Sequence, residues 1–365
     1  MCLIAAVASQ LFVTGAEAQN SGMKPLRAKV RIIVFTPSDV EPPANTRERI
    51  KDVVEYTRHF YEKGMKHWGY PAKQPFPVEL DEQGFPEILY IKGEHIKASG
   101  KYDKLGFQQE VISAAVEKYK VPRISQIWWI FLYGAVEKGW GRGGGNSIRG
   151  GTSTAYLFPD KGSFNPDDLL ADGLLFDIKL KGGIHELGHA FGLPHIGPRN
   201  KDNMGNSLMG PIHTAYFRRK GSKNKQVYLS EAAAAMLWKH PFFTGTAKDR
   251  NRMPVFQFER FQVEEQSAKG VIEVTGKVAG NYPGHSVIVF NETPRKTDYW
   301  RQAFVGKLDQ SGNFRVTIDE YEKSNGVLRA VVCFNNGVVL GSTGKFGVRN
   351  GYALPYKFEN GKFIF

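Results

Sequence analysis

Hydrophobic and polar positions fall into blocks along this chain, and the character of the blocks changes once. Residues 27–35 (RAKVRIIVF) form a short β-branched run that predicts a strand, followed by the turn-rich TPSDVEPPAN. Asn45 with Glu48 three residues on marks a helix start. Ile50, Val53, Val54, Phe60, Tyr61, Met65 and Trp68 then recur at helical spacing, with Thr57 on the same face, and predict a long amphipathic helix. EILYI at 87–91 reads as a strand. Gln108–Tyr119 reads as a second helix with Val111, Ile112, Ala115, Val116 and Tyr119 on one face, and QIWWIFLY at 126–133 as a buried strand. Strands alternating with helices predict an α/β layer. The block GWGRGGGNSIRGG at 139–151 predicts a surface loop. It lacks the Gly-Lys-Ser/Thr of a phosphate-binding loop, and a strand (TSTAYLF, 152–158) follows it where that motif needs a helix. Asn165-Pro166 opens a further helical stretch, and Ser230 caps a short helix, EAAAAMLWKH.

From about Pro254 the texture becomes wholly β. VIEVTGKV, SVIVF, FRVTI, LRAVVCF and VVLG are separated by turn-forming stretches such as Asn281-Tyr282-Pro283-Gly284 and Asp309-Gln310-Ser311-Gly312, the pattern of a β-sandwich. A polar stretch at 244–252 separates the two textures. The predicted organisation is a leader at 1–18, an α/β domain at 19–250 and a β-sandwich at 254–365, two compact units expected to act semi-independently.

Composition narrows the class. The chain has 365 residues, of which 41% are hydrophobic and 13% aromatic, enough to bury a large core. The formal charge of +13 is spread along the sequence without a basic stripe, which predicts a generally cationic surface and no nucleic-acid partner. MCLIAAVASQLFVTGAEA at 1–18 is apolar or small apart from Gln10 and Glu17, and Ala16-Glu17-Ala18 has the form of a signal-peptidase site, so the protein is expected to be secreted or periplasmic. No later stretch reaches 18 consecutive apolar residues, so no transmembrane segment is expected. Cys2 and Cys333 are the two cysteines; removal of the leader leaves Cys333 alone in an apolar run, where packing is its expected role.

The chemistry is concentrated at 182–197, GGIHELGHAFGLPHIG, where three histidines and a glutamate fall within eleven positions. Ile184, Leu187 and Phe191 predict a helix here. His185 and His189, at i and i+4, then project from one face and present two imidazoles to a common point. Glu186 is rotated by about 100° from the first of these, which suits it to take a proton from water better than to bind a metal. Gly192 can adopt the left-handed conformation that ends the helix, and Pro194 stiffens the return, so His195 can reach the same point. Three imidazoles with an open fourth position are the donor set of a catalytic zinc.

H-E-L-G-H-A-F-G-L-P-H resembles the extended zinc signature of the metzincin metallopeptidases. That resemblance implies an α/β metzincin-like zinc peptidase domain, a mixed sheet with an active-site helix, followed here by the all-β sandwich. It also implies a methionine turn beneath the metal. Ser207-Leu208-Met209-Gly210-Pro211 is similar to that turn, whereas the rival Met204 sits in a polar context. The residue after the third histidine, Ile196, matches no subfamily. Pro211 stands where some subfamilies carry a tyrosine, and Tyr216 could replace it only if the chain folds back. In the family an edge strand upstream of the zinc helix pairs with extended substrate, and 152–158 holds that place. Selectivity is expected from a pocket beside the zinc walled by PIHTAYFRR, in which His213 has no assigned role.

The reading is therefore a secreted zinc endopeptidase in which Glu186 is the general base, His185, His189 and His195 hold Zn²⁺, Met209 forms the turn and Gly192 ends the helix. The expected partner is a protein or peptide substrate. TDYWRQAF at 297–304 adds a second candidate contact: Tyr299, Trp300 and Phe304 could stack on sugars and make the C-terminal unit a glycan or cell-surface module, although a packed core with an exposed loop accounts for them better, since β-sandwiches bury such aromatics routinely. Two rivals stand beside this reading: a peptidase specialised for glycosylated or cell-wall substrates, and a non-catalytic binding protein with a vestigial zinc site.

Overall fold

The computed structural model describes residues 28–365 apart from 74, 104–105, 135–141, 147–149, 157–161, 164, 222, 295–296, 343 and 346. The leader expected at 1–18 lies outside the described residues.

The N-terminal half is built on β1 (Val30–Thr36), α1 (Thr46–His67), β2 (Ile88–Lys92), α2 (Gln108–Tyr119), β3 (Ile127–Leu132), β4 (Arg142–Asn146) and β5 (Gly150–Tyr156). The strands form one sheet in the order β2-β1-β3-β5-β4, parallel except for the antiparallel edge strand β4. Alternate residues divide between its faces. Val30, Ile32, Val34, Ile127, Trp129 and Phe131 pack with α1 residues Ile50, Val53, Val54 and Tyr61. Ile33, Phe35, Trp128, Ile130 and Leu132 pack with Val111, Ile112 and Ala115 of α2. Cover on both faces is why β3 reads as an unbroken apolar run.

Two expectations change here. The glycine-rich block expected as a loop contains β4, because glycine weakens a strand without forbidding one when a neighbouring ladder supplies its hydrogen bonds. Consequently the segment expected at the sheet edge, now β5, is flanked by β4, and the open ladder next to the site helix belongs to β4. The helical stretch expected from Asn165 is reduced to α3 (Gly173–Asp177).

After α3 come α4 (Leu180–Ala190), which carries the histidines, β6 (Asn206–Ser207), α5 (His213–Lys220), β7 (Val227–Tyr228), α6 (Glu231–Trp238) and α7 (Pro241–Thr244). Leu180, Ile184, Leu187 and Ala190 seat α4 in the same core as α1. Ser230 caps α6 by accepting from the Ala233 amide at 3.4 Å.

The C-terminal part holds β8 (Phe256–Gln266), β9 (Val271–Gly280), β10 (Gly284–Glu292), β11 (Gln302–Lys307), β12 (Asn313–Ile318), β13 (Gly326–Phe334), β14 (Val339–Leu340), β15 (Tyr352–Glu359) and β16 (Lys362–Ile364). They make two antiparallel sheets, β11-β10-β13-β15-β16 with β14 beside β13, and β12-β9-β8. Val287, Val289, Leu328, Ala330 and Val332 of the first share a core with Ile272, Val274, Phe314 and Val316 of the second. The opposite face of β10 and β13 is also covered: Ile288, Phe290, Val331 and Cys333 join the core of the N-terminal half. The two textures of the sequence therefore meet along an apolar surface, although a polar connection runs between them. Cys333 is buried there, and burial pushes its thiol pKa up, away from reactivity.

Candidate active site

Helix α4 places His185 and His189 one turn apart, with ring centroids 4.7 Å from one another. The helix then ends in a Schellman turn. Gly192 has φ +89°, its amide donates to the His189 carbonyl at 2.8 Å, and the Leu193 amide donates to the Gly188 carbonyl at 3.0 Å. The reversed chain brings His195 back, with its ring centroid 4.7 Å from that of His189 and 5.4 Å from that of His185. One ring nitrogen from each of the three lies within 4.8 Å of the others.

Each Nδ1 has its own partner. That of His185 lies 2.8 Å from the Leu208 carbonyl, that of His189 2.7 Å from the Leu193 carbonyl, and that of His195 2.9 Å from Asp298 Oδ2. All three partners are acceptors, so each Nδ1 is the donor, and in a neutral ring each Nε2 keeps a lone pair. The Nε2 atoms of His189 and His195 face one another at 3.1 Å. Two lone pairs at that separation repel unless a cation sits between them. The spacing is close to the ~3.3 Å that tetrahedral geometry with zinc–nitrogen bonds of about 2.0–2.1 Å gives. The residues therefore fit a metal. Burial holds His189 at about 4, and holds His185 well below its usual value with help from the nearby Lys181 charge, so both imidazoles are neutral near pH 7 and could serve as donors to a metal.

Met209 lies under this group. Its carbonyl accepts from the Ile196 amide at 3.1 Å, Gly210 closes the turn onto the Ser207 carbonyl at 3.1 Å, and the Ser207 hydroxyl donates to the Ile196 carbonyl. A β-carbon on Gly188 would come within 2.6 Å of Met209 Sδ, so the glycine between the histidines lets the thioether approach the helix. Met204 lines a separate cavity with His59 and Lys63. Glu186 follows His185 on the helix, lines the cavity beside the triad and acts electrostatically on Tyr299.

Asp298 and Tyr299 come from the C-terminal part, and sequence reasoning did not place them here. The turn Asp298–Trp300 sits on the loop after His195, with the Gly197 amide donating to the Arg301 carbonyl at 2.6 Å and Arg301 Nη2 donating to the His195 carbonyl at 3.1 Å. Tyr299 stacks on His195 with centroids 3.8 Å apart. Burial, with Glu186 and Asp298 nearby, raises its phenol pKa, so the hydroxyl keeps its proton. Burial alone would raise the Asp298 carboxyl, but the bond to His195 outweighs it and the group stays ionised. Of the three aromatics proposed as a sugar platform, Tyr299 alone faces the site. Trp300 is covered by Tyr216 and by Arg219, 4.4 Å from its ring centre, and Phe304 is in the β core. Tyr216 is buried against Trp300 and does not replace the missing tyrosine. The aromatic cluster DYW was the available signal, but nothing local ties it to a motif about a hundred residues earlier.

Beside the triad opens a cavity of about 370 Å³, walled by Leu170, Leu175, Phe176, Lys181, Ile212, His213 and Tyr299. The segment after Met209 forms one wall, as expected.

Comparison with solved structures gives matches over nearly the whole chain, among them three structures of one protein. OgpA from Akkermansia muciniphila, in two crystal forms of the wild type, aligns with a TM-score of 0.68 over 96–97% of this chain and 99% of its own, at 19% and 20% identity. A catalytically inactive OgpA in complex with an O-glycopeptide substrate, glycodrosocin, aligns with a TM-score of 0.67 over 95% of this chain and 98% of its own, at 19% identity. The chain has the fold of OgpA. The likeness spans both halves, including the β part that the sequence resemblance left out. No protein-family model and no curated protein matches the sequence.

Proposed function

We propose that this protein is an exported, metzincin-type zinc peptidase that cleaves glycosylated peptides. The observation that carries the reading is the convergence of three imidazole rings on one point, each with its Nδ1 on an oxygen acceptor, next to Glu186 and a cavity. His185, His189 and His195 would hold the metal, and imidazole donors suit zinc. When bound, zinc supplies Lewis acidity and makes water acidic enough to lose a proton near pH 7. Glu186, which precedes no other carboxylate on α4, accepts that proton on a carboxylate oxygen and returns it to the leaving amine. Tyr299 keeps its phenolic proton and limits water access over His195. The O-glycopeptide bound by OgpA, on the same fold, favours a glycosylated substrate over a general peptide, and the apolar leader pattern at 1–18 supports export.

The test pairs an O-glycosylated peptide with its unglycosylated twin, with metal content measured on the same preparations. We expect about one zinc per chain, cleavage of the glycosylated peptide alone, loss on chelation and recovery with zinc. Glu186→Ala should keep the metal and lose about 10²–10⁴-fold in rate, whereas His189→Ala should lose both. Equal cleavage of the twins would return the general endopeptidase reading. A fully metallated protein inert on both would overturn the enzymatic one.

A further inference from the structure

The cavity beside the triad contains cationic chemistry that the proposed hydrolysis does not use. Lys181 lies one helical turn before His185 on the same face of α4, among Leu170, Leu175 and Phe176. Its Nζ donates to the Pro211 carbonyl at 2.9 Å, and no carboxylate pairs with it among the described residues. Burial alone pulls its pKa down to about 7. His213, at the start of α5, is 5% exposed, and neither ring nitrogen has a partner of full hydrogen-bond geometry among the described residues, although the Asn224 backbone acts on the ring as a weak hydrogen-bond partner. The two side chains feel each other's charge, as does His185, so they share one wall.

A desolvated ammonium with no carboxylate partner among the described residues, beside an imidazole held only weakly by the Asn224 backbone, is a costly arrangement in an isolated protein. It becomes favourable when a bound group brings the missing negative charge and accepts from both donors. Glu186 lines the same cavity but is not among the groups that shift Lys181. Apolar walls fix the body of a ligand, and a few convergent polar groups fix its orientation.

We infer that this cavity binds a carboxylate-bearing group, held by Lys181 and His213, and so selects substrates that carry a carboxylate next to the cleaved bond. The second half of this statement rests on the proposed peptidase reading; the first does not. Either an acidic sugar or an acidic side chain could bring the carboxylate.

Calorimetry on the full-length, metal-loaded protein separates these sources. The probes are N-acetylneuraminic acid with N-acetylgalactosamine as its uncharged counterpart, and N-acetylglutamate with N-acetylglutamine as its own. We expect one acid to bind at least about tenfold more tightly than its counterpart, a preference of the size a charge-assisted contact gives. Preference for the sugar acid assigns the group to a glycan, and preference for glutamate assigns it to a peptide side chain. Lys181→Met should remove the preference with metal content unchanged, and Lys181→Arg should retain it. If Lys181→Met does not fold, His213→Leu provides the same reading. Acids and uncharged counterparts that bind alike, or fail to bind alike, would overturn the inference. So would a preference that survives Lys181→Met, which would place the carboxylate on the metal. None of the probes contains a peptide bond to be cut, so a protein inert on glycopeptides could still bind them, and the two failures are distinguishable.

Discussion

The proton on His195 Nδ1 is held by a carboxylate 103 residues further along the chain. His185 and His189 use backbone carbonyls for the same purpose, so among the described residues Asp298 is the charged partner of the triad. A carboxylate behind an imidazole fixes the ring and raises the basicity of the other nitrogen, and losing such a partner costs about 10–100-fold in metal affinity. Asp298 is half exposed, which puts the expected loss toward the lower end. Asp298→Ala should therefore weaken zinc binding about tenfold in competition with a chelator while leaving the fold intact. Unchanged affinity would mean that Asp298 only decorates the site. The fixed spacing of the histidines was legible because a helix and a glycine turn define it locally; Asp298 was not, because no local pattern points to it.

At the scale of elements, the site is a junction between the end of α4 and the turn at Asp298–Trp300. The contact is backbone against backbone: a β-carbon on Gly197 would lie 2.5 Å from the Trp300 carbonyl carbon. A main chain cannot rotate away as a flexible side chain can, so Gly197→Ala must lift the turn or distort the loop after His195. The cost should be about 1–3 kcal/mol, the range of an overpacked position. Because Asp298 and Tyr299 ride on that turn, stability and zinc affinity should fall together, measured by urea unfolding and chelator competition. A variant as stable and as tight as the wild type would show that the turn is not seated on Gly197. The strand at the open edge is another element-level result. β4 was hidden in sequence because glycine carries no side-chain pattern to alternate.

Over the whole molecule, buried neutral histidines couple stability to pH. His240 and His285 are both pushed from 6.5 to about 3 by burial, with Arg250 and Lys239 adding to the shift. His240 Nδ1 also accepts from the Phe242 amide at 3.2 Å, which needs the unprotonated nitrogen. The unfolded chain takes up protons near pH 6.5 and the folded chain does not until about 3. Stability is thus complete above pH 6.5 and falls as pH drops between those values, by about 2 kcal/mol for each histidine at pH 5. Urea unfolding at pH 7.5 and pH 5 should show a loss of at least about 4 kcal/mol, partly relieved in His285→Gln; a flat profile would contradict it. The same scale decides the role of the β part. The sequence predicts that removing residues from 254 onward leaves a working catalytic unit. The structure gives the opposite expectation, since Ile288, Phe290, Val331 and Cys333 belong to the same core as the helices α1, α4 and α6. The truncated chain should be insoluble or molten, with loss of near-UV circular dichroism. A soluble, folded, zinc-binding truncation would show that the shared core is dispensable.

By itself the sequence determined what lies within a few residues or one period of an element: the strands and helices of the sheet, the two textures, and the three histidines with Glu186, Gly192 and Met209. Helical spacing and a glycine turn fix those relations locally, whatever surrounds them. Even the junction left a trace, because SVIVF and RAVVCF are apolar without alternation, as strands covered on both faces must be. The tertiary structure decided which surface covers them. It placed Asp298 and Tyr299 over His195, set Lys181 against His213, and gave the sheet edge to β4. Each of these contacts joins segments whose separation no periodicity measures. For the contacts between the halves the reason is apolar burial: the second face of β10 and β13 is covered by the N-terminal core, and that docking carries the turn at Asp298–Trp300 onto the site.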